Sequence, residues 1–220
     1  MTVVVVDDEV EVRDAYRAFF ARRPGFSLIG EAADGQAGVA VVAKLRPDVV
    51  LMDLKMPLMS GVDATRAICE TDPNARVVAL TTLATRDHIV AALRAGASGY
   101  LLKDCGAEGL VRGLHDALAG EMPMSPGVRL ALVDSVRRED AHTQASSGIV
   151  TQREAELLMW LAQGLSNQQI ADEMYLSEGS VKQYLNRIAD KLGVRSRTQI
   201  LVRSLQLRIV DLDTLPAMGP

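Results

Sequence analysis

The chain has 220 residues, is 48% apolar and 24% charged, and carries a formal net charge of -4. That composition is ordinary for a folded globular protein of one large domain or two smaller ones. No uncharged apolar run approaches the ~20 residues of a membrane span, and with acids from position 7 a positively charged, apolar secretory leader is not expected.

A cytoplasmic protein with no membrane partner is therefore expected. Cys69 and Cys105 lack metal-ligand spacing and are expected to be buried free thiols, because a reducing compartment disfavours a disulfide. The net charge hides an asymmetry. Residues 1–120 hold 13 Lys and Arg against 16 Asp and Glu, whereas residues 180–208 hold seven bases against one acid, Asp190. Acidic and basic ends on one chain point to two modules with different partners.

The chain opens MTVVVVDDE, four valines running into three acids. Like charges at the end of a stiff apolar strand repel, and burying them costs several kcal/mol unless something neutralises them. A divalent cation shared with a carboxylate from farther along the chain meets that need.

Strands and helices then alternate. VVVV (3–6) precedes an amphipathic stretch from Val10 to Ala21, and FSLIGEA (26–32) precedes GQAGVAVVAKL (35–45). DVVLMDL (48–54) precedes GVDATRAICE (61–70), and ARVVAL (75–80) precedes HIVAALRAG (88–96). SGYLL (98–102) precedes AEGLVRGLHDALAG (107–120). The strands are continuously apolar, so both faces should be buried in a parallel sheet flanked by helices. Function in such sheets gathers at the carboxyl ends of the strands.

Those ends carry Asp7, Asp8 and Glu9 after strand one, Asp53 after strand three, Thr81 and Thr82 after strand four, and Lys103 after strand five. His88, His115 and His142 lie elsewhere. The set suits phosphoryl transfer to a carboxylate: an Asp nucleophile, a hard cation held by oxygens, and Lys and Thr on the phosphoryl oxygens. Singly, each has a plainer role. An Asp at a strand end is more often a helix cap than a nucleophile, Thr81 is an ordinary β-former, and Lys103 a solvated charge. A small-molecule phosphatase would also use an Asp nucleophile, but it usually needs a second acid two residues later, where this chain has Lys55.

VVVVDDE, LMDLKMPLMSG, ALTT and GYLLKD, in that order and spacing, resemble the receiver domain of bacterial two-component response regulators across roughly residues 1–120. The resemblance implies a flavodoxin-like, doubly wound, five-stranded parallel sheet. It makes Asp53 the phosphoacceptor, with a sensor histidine kinase as partner. Mg²⁺ would be held by Asp8, Asp53 and the backbone carbonyl of Lys55, with Asp7 contributing through water. Lys103 would bind a phosphoryl oxygen, Thr81 would be the switch hydroxyl and Tyr100 the switch aromatic. Pro57 would shape the loop after Asp53, and Gly61 would start the next helix. Such a receiver assists its own Mg-dependent phosphorylation and dephosphorylation and is otherwise not an enzyme. One departure is Asp104, where many receivers have a proline after the lysine; it bears on the cis content of that peptide.

Residues 121–148 carry Pro123, Pro126 and Gly127 and then small and polar residues, which marks a linker. VRLALVDSVRRE within it can form a short helix, and HTQASSG reads as flexible. The linker is either a passive spacer or a segment that packs and transmits the state of the first module.

From residue 149 the strand signal ends and four helices follow, to about residue 210, before a tail at 211–220. Thr151 with Glu154 forms a capping box, and Ser166, Ser177 and Ser196 can cap the next three helices. Gly164 and Gly193 end the first and third. On the third helix Val181, Leu185, Ile188 and Leu192 step at core spacing, leaving Lys182, Gln183, Asn186 and Arg187 on the other face. Those side chains can reach base edges and phosphates in a major groove. Ser166, Asn167 and Gln168 open the preceding helix, whose amides suit a phosphate, and Lys191 adds a further base. The plainer alternative is a solvated basic face on a protein-binding bundle.

TQREAELLMWLAQGLSNQQIADEMYLSEGSVKQYLNRIADKLGVRSRTQ resembles the LuxR-type helix-turn-helix domain, and with a receiver it resembles the NarL/FixJ subfamily of response regulators. The resemblance implies a transcription factor that dimerises on phosphorylation and binds double-stranded promoter DNA. Where that subfamily usually reads T-V-K-x-H, this chain has Ser180, Val181, Lys182, Gln183 and Tyr184. The last helix, with Ile200, Leu201, Leu205 and Leu207, could form a dimer seam or simply pack on its own domain.

Overall fold

A computed structural model describes residues 1–82, 85–124, 128 and 149–210 of the chain. Two compact units divide after Val128.

The first unit alternates five strands and five helices: β1 (Thr2–Val6), α1 (Val10–Ala21), β2 (Ser27–Ala32), α2 (Gly35–Leu45), β3 (Val49–Asp53), α3 (Gly61–Thr71), β4 (Val77–Thr81), α4 (Arg86–Ala95), β5 (Gly99–Leu102) and α5 (Gly106–Leu118). All neighbours are parallel in the order β2-β1-β3-β4-β5, so strand order reverses between β1 and β3. The apolar runs explain the layering. Val3 and Val5 of β1 pack on one face with Phe20, Leu110 and Leu114 from α1 and α5. Val4 and Val6 pack on the other face with Val42, Ala64 and Ile68 from α2 and α3. A strand's alternating side chains thus meet a helix on either side, which is why no polar residue interrupts VVVV.

Helix α4 starts two residues before the expected His88. Arg86 and Asp87 in its first turn are polar and add nothing to an apolar period, while Thr85 Oγ1 bonds His88 Nδ1 at 2.8 Å across that turn. Cys69 and Cys105 are free and half-buried. Burial pushes the Cys69 thiol up to about 11, so it stays protonated at neutral pH.

Residues 121–124 lie along the outer edge of β5. The Tyr100 N–H donates to the Pro123 carbonyl at 2.8 Å, and Tyr100 bridges Met124 in parallel register. Gly99 makes room for this: a Cβ there would meet Pro123 Cγ at 2.3 Å. The start of the expected linker therefore packs on the sheet. Gly99→Ala is expected to lever that segment away and speed exchange of the Tyr100 amide at least about tenfold, measured by hydrogen exchange. Apart from Val128, the expected linker helix falls outside the described residues, as do HTQASSG and the tail at 211–220.

The second unit has four helices: α6 (Gln152–Ala162), α7 (Asn167–Met174), α8 (Glu178–Leu192) and α9 (Arg197–Gln206). Every expected cap forms. Thr151 with Glu154 and Ser166 with Gln169 make capping boxes, while Ser177 and Ser196 accept from Ser180 N and Gln199 N. Gly193 ends α8 at φ +66°, where a Cβ would be strained. The core joins Leu157, Leu158 and Leu161 to Ile170, Met174, Val181, Leu185, Ile188 and Leu192. Ile200, Leu201 and Leu205 are also buried, on a helix that packs against α6 and α8, so packing on its own domain accounts for them without a dimer seam.

Candidate functional site

The carboxyl edge of the first sheet gathers what its strand ends deliver. Asp7 is 1% exposed and Asp53 5%, while Asp8 is open to solvent. One carboxylate oxygen from each lies within 4.8 Å of the others, a set that could hold a cation. Lys103 Nζ reaches into the group from β5, 2.7 Å from Asp7 Oδ2, 3.3 Å from Asp53 Oδ2 and 3.5 Å from Glu9 Oε1. The Lys103 N–H donates to the Thr81 carbonyl at 2.8 Å, which ties the ends of β4 and β5 together. Lys55 is exposed in the loop after β3, and Pro57 follows in the same loop. All described peptide bonds are trans, that after Lys103 included.

Two buried acids side by side leave an electrostatic mark. Burial raises the Asp53 pKa, Lys103 pulls it down and the Asp7 charge adds to the rise; the net shift is upward. For Lys103, burial opposes the charge, but hydrogen bonding to Asp7 and the Asp53 and Asp7 charges outweigh it, so its pKa is raised. One ammonium shared by three carboxylates leaves the cluster negative. The oxygen-only donor set and that residual charge fit a hard divalent cation.

Thr81 closes β4 with its side chain buried, and Tyr100 on the neighbouring strand is fully buried. Burial pushes the Tyr100 phenol up to about 12, with Thr81 pulling the other way. The phenol lies toward Thr81 but lacks a hydrogen bond of good geometry.

On α8, Lys182, Gln183, Asn186 and Arg187 are exposed opposite Val181, Leu185, Ile188 and Leu192, as the periodicity requires. Lys182 pairs with Glu178 at 2.6 Å one turn earlier, and the Arg187 guanidinium sits 4.4 Å above the Tyr184 ring. An exposed pair of this kind contributes about 0.3–0.5 kcal/mol, so it is readily exchanged for another partner.

Two candidates are engaged by partners within their own domain. Asn167 is 2% exposed, and its Oδ1 accepts from the Arg197 guanidinium, which also donates to the Leu165 carbonyl. That side chain satisfies a buried cation and does not face outward. Lys191 gives its ammonium to the buried Glu154, at 2.6 and 2.9 Å, instead of standing free for a phosphate. Gln168 is exposed and donates to Asp172 at 2.9 Å, and Ser166 spends its hydroxyl on the α7 cap.

The Glu154 cluster makes a pH prediction. Burial alone would raise its pKa, but Lys191 and the N–H and hydroxyl of Thr151 hold it below the usual carboxylate range. A depressed folded-state pKa gives stability that is full above the unfolded value and lost as pH falls through the folded one. Unfolding followed by Trp160, the only tryptophan, should lose stability below about pH 4.5. Glu154→Gln should flatten that decline.

Taken together, the acid cluster on a doubly wound sheet and the basic helix in a capped four-helix unit define a two-module regulatory protein. Comparison with known proteins agrees. Residues 3–115 match the family described as "Response regulator receiver domain", and residues 149–204 match "Bacterial regulatory proteins, luxR family". The chain is 34% identical over 208 residues to the nitrate/nitrite response regulator protein NarL of Escherichia coli, covering 94% of this chain and 96% of that protein. It is likewise 34% identical over 211 residues to the uncharacterized transcriptional regulatory protein YxjL of Bacillus subtilis, covering 95% and 97%. Among solved structures, a LuxR-family two-component response regulator from Aurantimonas covers 63% of this chain and 98% of its own, at 33% identity and a TM-score of 0.57. The chain belongs to the two-component response regulators that join a receiver domain to a luxR-family DNA-binding domain, and it is a transcriptional regulator of that class. Among the described residues, no helix is long and apolar enough to cross a membrane.

Proposed function

We propose that this protein acts in the cytoplasm, where Asp53 accepts a phosphoryl group from a cognate sensor histidine kinase and this modification gates binding of a homodimer to promoter DNA. The observation that carries the reading is Lys103 Nζ set among Asp7, Glu9 and Asp53 at the switch point of the sheet. An Asp53 oxygen attacks phosphorus, and the bond from phosphorus to the donor breaks. Lys103 steadies the phosphoryl oxygens, and Thr81 moves toward them as the charge arrives. Asp7, Asp8 and Asp53, with the Lys55 carbonyl, would hold Mg²⁺. When bound, that ion neutralises the acids and the incoming phosphate. Tyr100 shares the switch with Thr81, and its N–H bond to Pro123 gives the switch a path into the linker. The domain limits that fit are a receiver at 1–120, a linker at 121–148, a DNA-binding domain at 149–210 and a tail at 211–220.

In the second unit, Lys182, Gln183, Asn186 and Arg187 read the duplex, with Ser166 and Gln168 near its backbone. Lys182→Ala is expected to reduce the slope of log Kd against log salt by about 1. Gln183→Ala should relax preference at one base pair, a change of about 1–3 kcal/mol. Selection of binding sites from random duplex DNA, with and without acetyl phosphate and Mg²⁺, tests the whole reading. Paired half-sites enriched only with acetyl phosphate are expected, and equal enrichment in both arms contradicts it.

A further inference from the structure

Arg13 has no role in the phosphoryl chemistry above, yet it grips the loop that supplies two of the three acids. It stands on α1, and its Nη1 donates to the Asp7 carbonyl at 2.6 Å and to the Asp8 carbonyl at 3.1 Å. One guanidinium nitrogen thus spans two consecutive carbonyl oxygens. The rest of the loop is fixed by three more bonds. The Asp7 N–H donates to the Ala32 carbonyl at 3.1 Å, the Glu9 N–H to Asp7 Oδ1 at 3.1 Å, and the Arg13 N–H to the Glu9 carbonyl at 3.2 Å. Among the described residues, Arg13 is the side chain from outside the loop that bonds its backbone, whereas Lys103 meets only its carboxylates.

The consequence is geometric. The direction of a carboxylate follows from the peptide planes on either side of its Cα. Asp8 is exposed and has no bond to Lys103 to hold it, unlike Asp7 and Asp53. Its alignment with the other two therefore depends on the backbone. We infer that Arg13 is a positioning residue for the cation site, holding the Asp7 and Asp8 peptides so that their carboxylates are arranged before the ion arrives. Arginine suits this because its planar, always charged head presents donors in a fixed direction; a lysine ammonium keeps the charge but not that plane. The inference rests on the reading of the acid cluster as a Mg²⁺ site.

Calorimetric titration of the full chain with Mg²⁺ alone separates the two ideas. Arg13→Ala is expected to weaken binding about 10- to 100-fold, the range for losing a group that orients a metal ligand. Arg13→Lys should weaken it several-fold, between the two. Labelling by acetyl phosphate adds a second readout: the Mg²⁺ concentration for half-maximal rate should rise, with the rate at saturating Mg²⁺ nearly unchanged. Equal affinity in the wild type and the alanine variant overturns the role of Arg13. Absence of Mg²⁺ binding by the wild type overturns the underlying reading of the site instead. Should Arg13→Ala fail to fold by circular dichroism, Arg13→Lys decides, since wild-type affinity in that variant contradicts the inference and a several-fold loss supports it.

Discussion

Asp53→Asn is expected to give a protein that folds at least as well as the wild type and accepts no phosphoryl group. Burial, with a contribution from Asp7, raises the Asp53 pKa. A carboxyl whose folded-state pKa lies above its unfolded value loses stability as pH rises through those values, so ionised Asp53 opposes folding at neutral pH. Asparagine removes that cost. Its Oδ1 can still accept the Leu54 N–H, a bond of 2.8 Å in the wild type. Lys103 keeps Asp7 at 2.7 Å. The melting temperature should therefore not fall. Phosphoryl acceptance should drop to background, at least about a thousandfold, the scale seen when a nucleophile is deleted. A phosphate-affinity gel after incubation with acetyl phosphate and Mg²⁺ reads the loss directly. A shifted band in the variant would place the acceptor elsewhere.

Gly61→Ala should have the largest effect on stability in the first unit. Gly61 begins α3, capped by Ser60, and its N–H donates to the Leu54 carbonyl at 3.1 Å. A Cβ there would lie 1.8 Å from the Asp53 carbonyl oxygen and 2.9 Å from Leu54 Cα. Both are backbone atoms, so no side-chain rotation relieves the clash. Helix α3 or the end of β3 must move. About 3 kcal/mol of destabilisation is expected, a fall in melting temperature on the order of 15 °C for a unit of this size. The loop from Asp53 to Ser60 moves with it, so labelling should fall as well. Calorimetry of the full chain checks the first effect and the phosphate-affinity gel the second. A variant with unchanged melting temperature would show that α3 does not start against Asp53.

Much of the architecture was legible in the chain because its signals are local. The inner strands stand out since burial on both faces leaves VVVV of β1 and VVLM of β3 without a polar residue, and Thr151, Ser166, Ser177 and Ser196 stand where helices begin. The acid cluster was readable because chemistry-bearing residues recur at strand ends, where the fold brings them together. Asn167 and Lys191 were not. Helical period tells which face a residue occupies, but not that a polar side chain will turn to satisfy a buried partner 30 or 37 positions away. The Tyr100–Pro123 bond escaped for a related reason. A proline after a helix reads as a boundary, and nothing local shows that its carbonyl completes the edge of β5.

Arg13 presents a different difficulty. Its contacts are only five and six residues away, yet an arginine on an amphipathic helix is indistinguishable in sequence from one in solvent. Its direction back onto the loop is set by the angle at which α1 leaves β1, which only the packed sheet defines.

The most direct test is the affinity of the full chain for its selected duplex at one fixed salt concentration, by fluorescence anisotropy, with and without beryllofluoride and Mg²⁺. At least about tenfold tighter binding with the phosphate mimic is predicted, the usual size of coupling between two sites. The same Kd in both states would contradict control of DNA binding through Asp53.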